Sequence, residues 1–412
     1  SKNIQMAEWT VRIVTYNVAM KSGDAQSAEE LVKSEGIEEL LIIGLQEVAH
    51  GEQYGGTTPS WLNSLVKAVG EQTRYTLIGK TFQATNLLLI FVQRKHASKI
   101  NRIEYRFAKN TLGGLTGHKG SIGAMLSFSN GQSIVLTLSH FVHDVSQLEA
   151  RIMQYKGNKM CTFPEAKSVR ASFWFGDLNF RIEGEQDEVK KKIDQGNLEN
   201  LLERDQLLKY RNQGRVFTDY EEASIKFAPT YRFVMGSTDY DLKRTPSWCD
   251  RILYKGTANS RVVAKNYSRM DRVLASDHLP VQGIYNIPLA DLPATQEWRI
   301  SFHHIPTWYT SIPLSVRFRY RRSDYWKRKG GFTDWIGLFP ARAPDLTNPI
   351  KWVFAMTCYT DSSSPPSIVA EFESMETGEY RVAYHSVHYN MVIGLSSPFK
   401  VIDPRSQLPS TH

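Results

Sequence analysis

Eight short apolar runs in the first two thirds of this chain each end in a cluster of polar or charged side chains. The clearest, FWFGDLNFRIE at 173–183, passes from aromatic residues directly into Gly176, Asp177 and Asn179. One such cluster is typical of a turn, because Gly, Asp and Asn end strands. Eight of them predict that loops at strand ends assemble a common site. The runs are TYNV (15–18), LQEV (45–48), TGHKG (116–120), LSHF (138–141), GDLNFR (176–181), APTYRF (228–233), RTPSWCDRIL (244–253) and SDHLPV (276–281).

The pattern of the remaining residues predicts an α+β domain followed by an all-β domain. Apolar strands are expected at 11–18, 41–45, 87–92, 120–128, 133–139, 172–175 and 251–254, with helical periodicity at 27–41 and 186–210. The pattern breaks near 285–298, where Pro288 and Pro293 lie in a short polar stretch, so we place the domain boundary there. Beyond it, short aromatic and β-branched runs alternate with turns until about Val401, as in a small β-sandwich.

Composition excludes several classes of protein. The longest apolar run, at 87–92, is too short to cross a bilayer, and neither terminus carries a signal-peptide or prenylation pattern. Three widely spaced cysteines predict a reducing, cytosolic setting. None is followed six positions later by Arg, which disfavours a phosphatase with a thiolate nucleophile. The net charge of +8 indicates attraction to a polyanion, which could be nucleic acid, an acidic membrane or a phosphorylated small molecule.

Three motifs carry a family resemblance. GDLNFRI, PSWCDRIL and SDHLPV, in this order, resemble the magnesium-dependent inositol polyphosphate 5-phosphatases of the endonuclease/exonuclease/phosphatase superfamily, over residues 11–287. The resemblance implies a four-layer α/β/β/α sandwich. It also implies a catalytic domain at 1–288 and a linker at 289–296.

The same resemblance implies a catalytic set that suits hydrolysis of a phosphate monoester. This reaction needs an activated water, a metal that neutralises oxygens, and donors for the developing charge. Taken alone, each carboxylate would more often be a surface or salt-bridged group. The implied roles are Glu47 as Mg²⁺ ligand with Asn17 beside it, Asp177 as general base, Asn179 orienting the water, His278 paired with Asp250 at the scissile phosphate, Asp277 in the same set, and His140 as a second phosphate contact. His143 is expected to be only a loop residue.

Five residues are expected to bind the ring phosphates, although they could equally form a solvated basic face. They are Lys119, Tyr231, Arg232, Lys243 and Arg244. Several positions depart from the family pattern and bear on substrate preference: Tyr16 replaces Trp, Arg232 replaces Lys, His118 replaces Asn and Ile152 replaces Asn. The segment before Arg244 is short, which weakens the assignment of Lys243.

The second domain, at 297–403 with a tail at 404–412, resembles a SKICH domain, an immunoglobulin-like sandwich. The matching motifs are DWIGLF (334–339), GEYRVAYHS (378–386) and VIGLSSPF (392–399). Arg317, Arg319 and Arg321 alternate with aromatic residues, which predicts a cationic strand face for anionic lipid or a partner protein. The alternative is an edge strand that charge protects from aggregation.

These observations lead to one principal functional hypothesis and two alternatives. The first is a Mg²⁺-dependent enzyme that removes the 5-phosphate from phosphatidylinositol 4,5-bisphosphate and the 3,4,5-trisphosphate. We expect a cytoplasmic monomer, peripheral at the endoplasmic reticulum or plasma membrane, that binds phosphoinositide lipids and no nucleic acid. A protein partner would bind through the SKICH domain. The alternatives are a nuclease of the same superfamily and an inert adaptor.

Overall fold

The computed structural model describes residues 7–34, 38–49, 60–72, 74–110, 119–289, 292–322, 331–363 and 365–407. His118 and the end of the predicted tail, 408–412, lie outside these residues. The chain divides into two compact units. One comprises 1–75, 79–93 and 104–292, and the other comprises 76–78, 94–103 and 293–412. The predicted linker at 289–296 stays a prediction, although Leu289 is still part of a strand.

Two mixed sheets form the framework of the first unit. The first sheet has the strand order β10-β11-β1-β2-β4-β3 and the second has the order β5-β6-β7-β8-β9. Their strands are β1 (Ala7–Asn17), β2 (Leu40–Gln46), β3 (Tyr75–Gln83), β4 (Asn86–Gln93), β5 (Ile100–Lys109), β6 (Gly120–Phe128), β7 (Ser133–His140), β8 (Val169–Asp177), β9 (Asp250–Lys255), β10 (Val263–Arg269) and β11 (Val281–Leu289). Residues 76–78 of β3 and 100–103 of β5 are grouped with the second unit. Each sheet has one parallel pair at its centre, β1 with β2 and β7 with β8.

The two sheets pack face to face, and this packing explains the aromatic run before Asp177. Alternate side chains of a strand point to opposite faces. Phe173 therefore meets Tyr285 of the first sheet, with ring centroids 5.0 Å apart, while Trp174 points outward to Tyr155, 5.2 Å away. A Cβ added at Gly44 would lie 2.6 Å from Leu138, so glycine permits this close approach of the sheets.

Helices cover the outer face of each sheet and complete the predicted four-layer sandwich. The helices are α1 (Ala25–Val32), α2 (Ser60–Gln72), α3 (Leu148–Gly157), α4 (Gln186–Asp194), α5 (Leu198–Leu202) and α6 (Gln206–Asn212). Trp61 of α2 packs edge-on against Tyr16 of β1, 5.7 Å between ring centroids. On the other side, Tyr155 of α3 joins the buried cluster of Trp174, Phe180 and Phe217. None of the described helices is long and apolar enough to cross a membrane.

Both predicted helical segments were too long. The helix expected at 27–41 ends at Val32, because Leu40 and Leu41 pair with β1 and begin strand β2. The segment 186–210 divides into three helices. Gly196 adopts a left-handed φ of 67°, and the side chains of Asn197 and Asp205 each accept a backbone N–H at the start of a new helix.

The second unit is all β, as predicted. One sheet has the order β12-β14-β18-β17, and the other has the order β13-β21-β19-β15-β16 with β20 paired to β19. The strands are β12 (Ile300–Phe302), β13 (Trp308–Tyr309), β14 (Leu314–Tyr320), β15 (Trp335–Pro340), β16 (Lys351–Phe354), β17 (Tyr359–Asp361), β18 (Ser367–Phe372), β19 (Gly378–Ser386), β20 (Met391–Leu395) and β21 (Phe399–Ile402).

Candidate active site

The ends of five strands in the first unit converge on one pocket. His140 ends β7, Asp177 ends β8, and Asp250 begins the antiparallel β9, so the three residues lie side by side in register. From the facing sheet, Asn17 ends β1 and Glu47 follows β2. The carboxyl ends of both parallel pairs therefore meet here, as the eight strand-end clusters predict.

Asp177 lies at the centre of the cluster and is almost completely buried. Its Oδ2 accepts a hydrogen bond from Asn17 Nδ2 at 2.9 Å and lies 3.3 Å from His140 Nε2 and 3.8 Å from His278 Nε2. Burial alone would raise the pKa of Asp177, but the two histidines lower it well below its usual range. Its Oδ1 is buried and has no hydrogen-bond partner among the described residues. One oxygen of this carboxylate is therefore held in place by Asn17, and the other is available to accept a hydrogen bond from a water or a ligand.

Glu47 is a pocket carboxylate that could hold a divalent metal ion. Mg²⁺ prefers carboxylate oxygens and retains water and phosphate as further ligands. The Glu47 side chain is 35% exposed, and although burial raises its pKa, His140 and a hydrogen bond from Asn17 lower it more, which keeps it ionised. Asn17 donates to Glu47 Oε1 at 3.1 Å, and its own oxygen accepts the Ala19 N–H. Asn17 thus orients the two carboxylates through its nitrogen.

His278 and Asp250 form a buried pair. His278 Nδ1 lies 2.8 Å from Asp250 Oδ2, which also accepts the Thr230 hydroxyl at 2.7 Å. Burial lowers the pKa of His278, but Asp250 and Asp177 raise it more, to about 9. The imidazolium form predominates at neutral pH, and Nε2 remains to donate to a substrate. One potential ligand atom from each of Asp177, Asp250 and His278 also lies within 4.8 Å of the other two, but a protonated His278 does not bind a metal.

His140 lies beside Lys119. Lys119 Nζ donates to His140 Nε2 at 2.5 Å. Burial, together with the charge of Lys119, lowers the pKa of His140. Lys119 therefore lies within the cluster, next to the candidate base, and lines the pocket.

Asn179 is fixed by two neighbours. Its Nδ2 donates to the Phe141 carbonyl at 2.9 Å, and its Oδ1 accepts Arg181 Nη2 at 2.6 Å. Arg181 also lies over the Tyr231 ring, 4.9 Å from the centroid, and lines the pocket. Arg181 was not predicted as a site residue, although it stands within GDLNFR, which was the available signal.

Tyr231 lines the pocket and Arg232 is directed into ion pairs. The Tyr231 ring packs on His278 with centroids 4.5 Å apart. Arg232 Nε lies 3.3 Å from Asp241 Oδ2 and 3.6 Å from Asp277 Oδ2. Arg232 is absent from the described pocket lining, so its predicted phosphate contact stays a prediction.

The remaining predicted cations occupy the pocket rim. Arg244 lines the catalytic pocket, and Lys243 lines an adjoining recess together with Arg244 and Arg181. Asp277 lines the catalytic pocket as well. His143 and Asp144 also line it, which the sequence did not suggest, since His143 was interpreted as a loop residue.

The arginine face of the second unit has a different character. Val316 and Phe318 are buried while Arg317 and Arg319 are exposed, so the predicted alternation is present. Arg317 is paired with Asp361, and Arg321 is paired with Glu297 at 2.8 Å. The edge-strand alternative is wrong, because β14 pairs with β12 on one side and β18 on the other.

Comparisons with known proteins agree with this geometry. The family Endonuclease/Exonuclease/phosphatase family 2 matches residues 14–284, and the SKICH domain matches 300–401. Phosphatidylinositol 4,5-bisphosphate 5-phosphatase A of Rattus norvegicus is 27% identical over 97% of this chain. Human synaptojanin-2 is 30% identical over 61% of the chain and 17% of its own length. This chain spans about two fifths, 42%, of the rat relative.

Solved structures support the fold. The inositol polyphosphate 5-phosphatase domain of SPSynaptojanin, in complex with inositol (1,4)-bisphosphate and calcium ion, is similar with a TM-score of 0.60 and 25% identity, covering 69% of this chain and 87% of its own. Cimex nitrophorin, at 22% identity and a TM-score of 0.59 over 69% of this chain and 99% of its own, shares the fold alone. The family match covers both sheets and every strand-end cluster. This chain therefore belongs to Endonuclease/Exonuclease/phosphatase family 2 and carries a SKICH domain after the family's domain.

Proposed function

We propose that the first unit is a Mg²⁺-dependent phosphatase that removes the 5-phosphate of phosphoinositides, chiefly the 4,5-bisphosphate and the 3,4,5-trisphosphate. The observation that carries this proposal is the environment of Asp177. One carboxylate oxygen accepts a hydrogen bond from Asn17, and the other has no hydrogen-bond partner among the described residues. Cationic side chains line the pocket around it. Substrate names come from the relatives, and the SKICH domain is proposed to place the enzyme at a membrane or a partner.

Asp177 would hold the attacking water through Oδ1. Because its pKa is low, the carboxylate is ionised at neutral pH, although a low pKa also makes it a weaker base. The oxygen of water would bond to phosphorus as the bond to the ring oxygen breaks, and the ring oxygen would leave as a hydroxyl after taking a proton from His278 Nε2. The water proton would pass to Asp177 and no phosphoenzyme would form.

The cations of the pocket would stabilise the phosphate as charge develops. Lys119, Arg181 and Arg244 line the pocket, and His278 presents Nε2 as a charged donor. Such donors act strongly in a buried site, because they are positioned before the reaction starts. Magnesium, held by Glu47, would supply further neutralisation of the phosphate oxygens.

Two readouts test the proposal, release of inorganic phosphate and strand cleavage of DNA. Short-chain phosphatidylinositol 4,5-bisphosphate, a soluble inositol polyphosphate and abasic DNA would each be incubated with the full chain, with and without EDTA. We expect release from inositol substrates only, abolished by EDTA. Cleavage of DNA alone would favour a nuclease, and no turnover of any substrate would favour an adaptor.

Glu47→Gln tests the metal assignment within the same assay. The variant should need a higher Mg²⁺ concentration for half-maximal turnover, because an amide is a weaker ligand than a carboxylate. Lys191→Gln, an exposed substitution on α4, serves as the matched control. An unchanged Mg²⁺ dependence would remove Glu47 from the ligand set.

A further inference from the structure

A second cationic recess lies at the far end of β8 and β9. Strand β8 runs from Val169 to Asp177 and β9 runs antiparallel from Asp250 to Lys255, with Ser172 opposite Lys255. At about 3.3 Å per residue, the seven residues from Arg170 to Asp177 span about 23 Å. The recess is therefore distinct from the candidate active site.

Four cations and one carboxylate line this recess. The cations are Lys159, Lys167, Arg170 and Lys255, and the carboxylate is Asp219. Asp219 Oδ2 accepts Lys255 Nζ at 2.7 Å, so the carboxylate neutralises only one of the four charges. The excess of positive charge favours an anionic ligand.

Aromatic rings hold two of the cations in place. Lys159 Nζ lies 4.9 Å from the centroid of Tyr155, and Lys255 Nζ lies 4.8 Å from that of Tyr220. Both tyrosines are nearly buried and pack against Trp174, with centroids 5.2 and 5.9 Å away. The two rings therefore hold the ammonium groups in place before a ligand binds, which lowers the entropy cost of binding.

Arg170 is aimed by a β-bulge and lacks a partner at one nitrogen. The pairing of β7 with β8 shifts between Ser133 and Ile134, which oppose Val169 and Ala171, so Arg170 is the extra residue. Bulges redirect side chains and occur near functional sites. Arg170 Nε is buried without a hydrogen-bond partner among the described residues. A buried donor without an acceptor is unfavourable unless a water or an ion satisfies it.

We propose that this recess binds a phosphate group of a small phosphorylated ligand. Arg170, Lys159 and Lys255 supply charged donors, which suit the several acceptor oxygens of phosphate. The tyrosines supply an apolar surface for the rest of the ligand. Free inositol phosphates and phosphoinositide headgroups share this chemistry, and the experiment below separates them.

Lysine footprinting on the full chain tests the site directly. Acetylation of individual lysines would be measured by mass spectrometry with and without pyrophosphate, in EDTA. We expect pyrophosphate to protect Lys159 and Lys167 several-fold while Lys191, exposed on α4, is unaffected. Equal protection of Lys191 would indicate ionic screening, and no protection at all would equally overturn the proposal.

A substitution of Arg170 and two further ligands complete the test. Arg170→Gln should raise the pyrophosphate concentration for half-protection about tenfold, as expected for one charge-assisted hydrogen bond. If that variant does not fold, Lys159→Gln should weaken protection of Lys167. Unchanged protection in a folded variant would overturn the site. Protection by soluble inositol 1,4,5-trisphosphate identifies a free ligand, and protection only by phosphatidylcholine vesicles containing phosphatidylinositol 4,5-bisphosphate identifies a headgroup.

Discussion

The candidate active site and the arginine face of β14 are both clusters of polar side chains, but their environments differ. At the active site, Asp177, Asp250 and His278 are buried and contact one another or a shared neighbour. On β14 the arginines are exposed, and Arg317 and Arg321 are each paired within the second unit. Polar residues at the ends of several strands therefore specify a site more strongly than charges alternating along one strand, because only the former must converge.

Asp177→Asn should produce the largest effect. The substitution keeps the shape of the side chain and removes the acceptor for the water proton, so turnover should fall about a hundred- to ten-thousand-fold. Substrate binding, measured separately by equilibrium dialysis, should change much less. Lys191→Gln should retain full turnover. A variant with more than about a tenth of normal activity would mean that another group accepts the proton.

Gly176→Ala should be the next most damaging change, because it disturbs the strand end that presents Asp177. The added Cβ would lie 2.0 Å from the Ser139 carbonyl oxygen, at a φ of 141°. We expect a loss of about 2–4 kcal/mol in the free energy of unfolding, from strain and overpacking together.

Gly131 supplies the matched control for that prediction. It also has a positive φ, 84°, but a Cβ added there would meet no atom within 4 Å. Gly131→Ala should lose only about 1–2 kcal/mol, the cost of the left-handed backbone. Urea denaturation of both variants gives the comparison. Equal losses would show that close packing at Ser139 is not the reason for glycine at 176.

Most of the candidate site was predictable because each residue belongs to a motif at a strand end. Asp177, Asp250, His140 and His278 lie together as expected. What the sequence could not provide was the direction of individual side chains. Arg232 follows Tyr231 in a motif, yet it is directed to Asp241 and Asp277 rather than into the described pocket. Asn17 meets Glu47 through nitrogen instead of oxygen.

The backbone conformation of two site residues could not be predicted from the sequence either. Glu47 and Asn179 adopt φ angles of 55° and 58°, in the left-handed region that residues other than glycine seldom occupy. Such angles depend on tertiary contacts, and local propensity does not indicate them. The fold was more accessible, since apolar runs such as 87–92 predict buried strands, whereas helix ends depended on caps at Asn197 and Asp205.

The second unit also contains buried ionisable groups. Their effect on the pH dependence of stability should be smaller than the effects above and larger than those at the arginine face. Burial raises the pKa of Asp334 to about 6, although Tyr384 and the Val387 N–H donate to it. Burial lowers the pKa of His385, stacked on Trp335, to about 4. Between about pH 4 and 6 the folded state holds an extra proton at Asp334, and the unfolded state holds one at the histidine.

As pH changes, Asp334 and His385 should therefore shift the free energy of unfolding in opposite directions. Asp334 contributes stability that is lost as pH rises toward 6, whereas His385 contributes stability that is lost as pH falls from about 6.5 toward 4. The protection factors of β19 amides, which remove the pH dependence of intrinsic exchange, should vary little over this range in the full chain. Asp334→Asn should make protection rise with pH, and His385→Gln should make it fall. Slopes of the same sign in both variants would contradict this assignment.

The arginine face should show the smallest effects, and they should be unequal. Arg319 is exposed and no ion pair to it is found among the described residues, whereas Arg317 is paired with Asp361 and Arg321 with Glu297. Arg319→Gln should weaken binding to anionic vesicles about fivefold, the effect of one exposed cation near such a surface. Arg317→Gln should weaken it less, because Asp361 already offsets its charge. Both losses should shrink as salt rises, since exposed charges are screened.

Vesicle sedimentation at two salt concentrations, with soluble-substrate turnover as the control, decides whether this face targets lipid. Equal losses for Arg317→Gln and Arg319→Gln would mean that net charge governs binding and that the ion pairs open at the membrane. If neither variant lost vesicle binding, the face would not recognise lipid, and its exposed strand would have to be tested against a partner protein. In either case turnover on soluble substrate should stay unchanged, because these side chains lie in a unit that supplies none of the proposed catalytic groups.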